Sequence, residues 1–132
     1  MVNMILLVKR NKTVADLQSE FNEVYPFLKL NFYKKDMTRP GNEIRQKIPK
    51  SFLLSACGNI QEGELDIDDA MTVGQLEKAF YDKFRINVQV ARKSGGVWLE
   101  TTITDNWTLK QQNDHGRELS SQPATDTPGI QE

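Results

Sequence analysis

The side chains best suited to covalent or proton chemistry are one cysteine and one histidine, and their neighbours restrain both. Cys57 closes the apolar run F-L-L-S-A-C, with no cation or helix start beside it to lower a thiol pKa. It reads as a small buried hydrophobe, not a nucleophile. His115 precedes Gly116 at the expected end of a short helix, where a cationic side chain meets the negative pole of the helix. A capping role is preferred there, and a Cys57 and His115 dyad is disfavoured. The chain has no G-x-S-x-G elbow, no phosphate-cradling glycine loop and no second cysteine to complete a C-x-x-C pair. The sequence therefore predicts no catalytic residues, no cofactor and no enzyme.

The run E-G-E-L-D-I-D-D, residues 62–69, holds the metal candidates. Glu64, Asp66 and Asp68 alternate and so project from one side of a strand, a grouping that hard cations favour. The spacing of a calcium loop is missing, however, and Asp68 and Asp69 stand just before a helix start, where negative charge is stabilising in any case. A solvated strand face is the preferred reading, and no metal site is predicted.

Binding chemistry is better represented. Between Lys34 and Lys50 the cations Lys34, Lys35, Arg39, Arg45, Lys47 and Lys50 are offset only by Asp36 and Glu43, a balance of +4 over seventeen residues. With Phe32 and Tyr33 alongside, this stretch has the types needed for phosphate contacts and base stacking. In V-W-L-E-T-T-I, residues 97–103, alternation turns Val97, Leu99, Thr101 and Ile103 inward and leaves Trp98 on the side of Glu100 and Thr102. A tryptophan on a polar strand face is either covered by another segment or available to a partner.

Two copies of one pattern position these residues. T-V-A-D-L-Q-S-E-F from Thr13 returns as T-V-G-Q-L-E-K-A-F from Thr72, with four identities at an offset of 59. Val14, Leu17, Phe21 and Val24 draw one apolar helical stripe, and Val73, Leu76, Phe80 and Phe84 draw the other. Thr13 with Asp16, and Thr72 with Gln75, mark the helix starts. Strand-like runs flank each helix: Leu6 and Val8 align with Leu65 and Ile67, and Leu30 and Phe32 align with Val88 and Val90 at an offset of 58. Residues 51–57 fit a short helix or a buried strand. Residues 36–50, with two prolines, read as a long exposed loop, and 118–132 as a disordered tail.

The expected fold is α+β: a two-layer sandwich in which a tandem βαβ repeat, 4–58 and 63–116, adopts a ferredoxin-like arrangement inside a single domain, 1–117. The first strands of both copies would be central and parallel, and the 97–103 strand would extend an edge as a hairpin.

The elements Leu65–Asp68, Thr72–Phe84, Val88–Lys93 and Val97–Glu100, followed by Asp105, Thr108 and Leu109 as a D-x-x-T-L segment, resemble the ubiquitin-like β-grasp proteins. That resemblance, over residues 63–116, implies a β-grasp alternative whose missing central strand is Ile5–Lys9. It departs from the family after the last short helix, where G-R-E-L-S-S-Q is polar and no apolar strand follows. The chain also lacks the di-glycine tail of a conjugated modifier.

At 132 residues and 38% hydrophobic the chain is long enough for one real core. Its charge is bipolar: residues 1–50 carry ten basic and five acidic side chains, residues 51–132 seven and thirteen. The first apolar run, Ile5–Val8, is far too short for a signal core or a membrane span. These features predict a cytoplasmic, non-catalytic protein-interaction or regulatory module with no membrane partner. The alternative is a nucleic-acid-associated protein acting through the loop 34–50, and self-association through a bare sheet face stays open.

Overall fold

A computed structural model describes residues 3–36 and 44–121, with the side chains of 35, 36 and 44 set aside. In chain order the elements are β1 (Asn3–Val8), α1 (Val14–Val24), β2 (Leu28–Asp36), β3 (Ile44–Lys47), a 3₁₀ turn (Leu54–Cys57), β4 (Gly63–Asp68), α2 (Val73–Phe84), β5 (Asn87–Ser94), β6 (Val97–Glu100) and α3 (Leu109–Ser121). The result is mixed α+β, consistent with a two-layer sandwich.

Each helix begins by the same device. The hydroxyls of Thr13, Thr72 and Thr108 accept from the backbone N–H three residues on, and the side chains of Asp16, Gln75 and Gln111 accept from the three threonine N–H groups in return. Two free donors are satisfied at each start, worth about 1 kcal/mol per helix. The apolar stripes do the docking. Val14, Leu17 and Phe21 of α1, and Val73, Leu76, Phe80 and Phe84 of α2, are all fully buried. Phe80 meets Phe32 edge-on at 6.2 Å and Phe84 at 5.4 Å, within the favoured range for aromatic pairs.

The strands separate into two antiparallel sheets, β1-β4 and β3-β2-β5-β6. This corrects the expected pairing. The two first strands run antiparallel and form their own ribbon, with Leu6 opposite Leu65. The two second strands also run antiparallel, with Asn31 opposite Gln89. Both pairs join positions aligned in the sequence, at offsets of 59 and 58. Leu6, Val8, Leu65 and Ile67 of the ribbon and Leu28, Leu30, Phe32, Val88 and Val90 of the larger sheet belong to one core cluster.

The connections repeat the relation. Val14 N–H donates to Phe52 O at 2.9 Å, as Val73 does to Trp107 at 3.0 Å; Leu54 N–H donates to Lys12 O at 2.8 Å, as Leu109 does to Met71 at 2.9 Å. Beyond those bonds the halves differ. Leu53 offers no side-chain cap, and the first half makes only the 3₁₀ turn. Thr108 caps the second half, which makes the thirteen-residue α3. Residues 51–57 thus contain the helical alternative of the two expected.

Three further expectations need correction. The loop 36–50 contains β3, which pairs with β2 from Tyr33 opposite Lys47; residues 37–43 lie outside the described residues. Helix α3 does not stop at Gly116 but runs through it to Ser121, across the first residues of the expected 118–132 tail; 122–132 lie outside the described residues. His115 is accordingly mid-helix, its ring edge-on to Trp107 at 5.5 Å, and caps nothing.

Gly116 is inside the helix because α3 lies close against the sheet. A Cβ there would stand 2.8 Å from Phe27 Cβ, 3.1 Å from Arg92 Cγ and 3.2 Å from Lys93 O. Replacing a mid-helix glycine by alanine ordinarily gains about 1 kcal/mol. Here overpacking, costing about 1–3 kcal/mol, opposes that gain. Gly116→Ala is expected to lower the urea midpoint at unchanged m-value; a raised midpoint would show that α3 packs elsewhere.

Candidate functional site

Strand pairing builds a face on the side of the larger sheet away from Leu28, Leu30 and Phe32. Lys29, Asn31 and Tyr33 alternate onto it from β2, and Gln89, Ala91 and Lys93 from β5. Trp98 and Glu100 of β6 join them opposite Lys93 and Ala91. Lys47 of β3 arrives opposite Tyr33.

One end of this face is closed by its own contacts. The Tyr33 hydroxyl donates to Glu100, whose carboxylate also lies 3.7 Å from Arg45, and the Arg45 guanidinium covers the Tyr33 ring at 4.5 Å. Burial first, then the Glu100 bond, pushes the Tyr33 hydroxyl up to about 12. Glu100 and Arg45, both candidates for partner contact, are therefore spent on each other and on Tyr33.

The other end is open and cationic. Trp98 is 36% exposed, with Lys29 Nζ 5.6 Å and Lys93 Nζ 6.0 Å from its ring centre. Between this ring and α1 lie two adjoining pits of about 260 and 300 Å³, which share Gln18, Lys29 and Lys50 and reach Lys47. Partial burial, then the charges of Lys47 and Lys50, hold the Lys29 ammonium below its usual value. Among the described residues none of Lys29, Lys47, Lys50 and Lys93 lies within ion-pair distance of a carboxylate.

The helix wall is fixed by amide side chains. Gln18 donates to Leu30 O at 2.7 Å, and Asn22 to Pro26 O at 3.0 Å and Leu28 O at 3.1 Å, tying α1 to backbone that β3 does not reach. Asn31 is buried beneath the face with its carboxamide oxygen unpartnered.

A second groove lies between α2 and β5 and has a volume of about 690 Å³. Gly74, Glu77, Lys78, Tyr81, Asn87 and Asp105 line it where the first groove has Ala15, Gln18, Ser19, Asn22, Lys29 and Lys50. The last pair is matched by bonding: Ala15 N–H donates to Lys50 O, and Gly74 N–H to Asp105 O. Glu77 accepts the Val90 N–H at 3.0 Å, as Gln18 engages Leu30. Burial raises the Glu77 pKa, the Val90 bond opposes it, and Asp105 and Glu100 add to the rise.

Of the residues singled out from sequence, Trp98, Lys47 and Lys50 come together. Lys34 does not: it lines the second groove with Cys57. The Lys35 side chain and Arg39 lie outside the described residues. Lys29 and Lys93 were missed, although their place in the alternation of β2 and β5 was readable. Val97, Leu99 and Ile103, expected inward, are 55%, 47% and 96% exposed, because β6 is a four-residue edge strand whose main neighbour is β5.

Glu64 and Asp66 project from the exposed side of the ribbon, and Asp68 Oδ1 accepts from the N–H groups of Ala70 and Met71 ahead of α2. Among the described residues no three His, Cys, Asp or Glu side chains are placed to hold a metal. Nor is any helix of the described residues long and apolar enough to cross a membrane. No family model, no curated protein and no solved structure matches the chain.

Two chemical consequences follow from burial. Cys57 is buried and its thiol pushed up to about 11, Lys34 acting slightly against the rise. Iodoacetamide near pH 8 is expected to modify it far more slowly in the native protein than in denaturant; equal rates would place it at the surface.

The Glu77 carboxyl binds its proton more tightly folded than unfolded, so the native state holds more protons in that window and stability falls as pH rises through it. Glu77→Gln keeps an acceptor for Val90 N–H without the charge. It is expected to be more stable than wild type at neutral pH, the advantage fading as pH falls toward the ordinary glutamate value and absent below it. An advantage independent of pH would assign the gain to something other than charge burial.

Proposed function

We propose that the protein is a non-catalytic binding module that engages an anionic macromolecular partner through the outer face of its larger sheet. One observation carries the reading: Lys29, Lys50 and Lys93 stand beside the half-exposed Trp98 and Lys47 lines the adjoining pit, all four without carboxylate partners among the described residues. Unneutralised cations beside one another repel, and an anion drawn into the groove would relieve that repulsion. In this reading the basic site comprises the Lys47–Lys50 end of the predicted 34–50 stretch, joined by lysines from two other strands.

The halves 4–58 and 63–116 are in our reading copies of one βαβ unit that diverged within one chain. The matched capping bonds and the matched loop-to-helix bonds support this. The order of β4, α2, β5 and β6, with β1 beside β4, is what supports a β-grasp-like reading of 63–116. The free thiol of Cys57 suits a reducing, cytoplasmic setting. A second reading, a protein partner docked on the β5–β6 hairpin, is favoured by the exposed Val97, Leu99 and Ile103.

A chain of formal net charge −1 has no global reason to bind a sulfonate cation exchanger at neutral pH. Retention is nonetheless expected. Lys29→Glu combined with Lys50→Glu should abolish it, while Lys9→Glu combined with Lys83→Glu, an equal charge change on other exposed surfaces, should weaken it less. Flow-through of the wild type, or equal loss in both doubles, would remove the basic groove from the account.

A further inference from the structure

We infer that the groove between α1 and the outer sheet face is a site for single-stranded nucleic acid, with Trp98 as the platform for an unpaired base and Lys29, Lys50 and Lys93 as phosphate contacts. The inference rests on the reading of this face as a polyanion-binding surface and selects one partner class within it.

Composition makes the selection. Protein–protein interfaces are depleted in lysine and enriched in apolar, aromatic and arginine side chains at their centres. This groove has the reverse balance: one aromatic ring, amide side chains along α1, and lysines from three separate segments of the chain. Lysine is a compact point charge suited to a string of phosphates. A ring accompanied by lysines meets the two needs of a flexible polynucleotide, stacking and backbone neutralisation. A duplex would meet only the second, because its bases are already stacked on each other and Trp98 would stand idle.

The charge is also not something the fold demands. At the sequence-matched positions the second groove carries Asn87 and Asp105 in place of Lys29 and Lys50, with the same bond to the carbonyl of residue 50 or 105. The fold therefore does not require lysine at these positions, and the excess of cations in the first groove has a cause outside folding. Partial burial first, and then the charges of Lys47 and Lys50, hold the Lys29 ammonium below its usual value, and a bound anion would relieve that repulsion.

The test uses the full chain carrying Trp107→Phe, so that Trp98 is the sole tryptophan. Its emission is followed during titration with oligothymidylate and oligouridylate of about ten nucleotides, a length within the usual range for strand-binding folds. Quenching is expected with both, or with one if the 2′-hydroxyl is read. Affinity should fall with salt, and Lys29→Glu with Lys50→Glu should flatten the log–log salt slope by about 1.4, roughly 0.7 per lost phosphate contact. Anisotropy of a labelled oligonucleotide should show Trp98→Ala weakening binding about tenfold, as removal of one stacking platform does, with Trp98→Phe recovering most of the loss.

Three results would overturn the inference: no oligonucleotide binding, binding indifferent to Trp98→Ala, or equal affinity for a nucleoside monophosphate or for polyglutamate of the same length. If sulfonate retention persists in any of these cases, the surface is polyanion-binding but not a single-strand site. If retention fails as well, the broader reading fails with it.

Discussion

The fold depends on two antiparallel strand pairings, β1 with β4 and β2 with β5. Strand side chains alternate with a period of two, so a one-residue slip in β2 would turn Lys29 and Tyr33 into the core and expose Leu30 and Phe32. Burying three fully enclosed side chains, Leu28, Leu30 and Phe32, contributes roughly 1.5–3 kcal/mol each, which far exceeds any surface ion pair here. The register is thus set by the apolar face, and the polar face inherits its arrangement as a consequence. Lys29 stands near Trp98 because Leu30 must stand against the core.

Pairing equivalent strands also explains why two grooves exist. Each helix docks beside the second strand of its own half, where the edge strand β3 or β6 has ended and backbone groups of Leu30 and Val90 are left without a strand partner. Gln18 and Glu77 take up those groups, one as donor to a carbonyl, the other as acceptor from an N–H. A buried backbone group without a partner costs about 1–3 kcal/mol, so a polar residue at this point of the helix is a structural need. The residues around it are under no such constraint. That freedom is what lets one groove become basic and the other mixed.

Local pattern made the helices and most strands readable in advance. Threonine caps, stripes at steps of three and four, and alternation in L-K-L-N-F and N-V-Q-V each act over a few residues, and each carries its own physical signal. Pairing direction is not local, since alternation has the same period whichever way the neighbour runs. Gly116 was misread because glycine near the end of an apolar pattern usually ends a helix, and only the packing of Phe27 and Arg92 against α3 shows the other reason for having no Cβ. The four residues of β3 offer too little pattern to be seen between prolines. The exposure of Val97 and Leu99 was not readable because alternation separates the two sides of β6 without saying whether anything covers either one.

The same limit governed the site. Counting charge along a contiguous segment gathers Lys34 with Lys50, yet a sheet sorts neighbours by face: Lys34 goes to the second groove, while Lys29 and Lys93 converge on Trp98 from strands that are far apart in sequence. Sequence-level polarity survives folding in altered form. The basic first half and acidic second half become a basic groove beside α1 and a groove beside α2 whose Glu77 and Asp105 replace glutamine and lysine. The two grooves thus differ in charge: Lys29, Lys47 and Lys50 line the first without a carboxylate, whereas Lys34, Lys78 and Arg85 of the second stand among Glu77, Asp82 and Asp105.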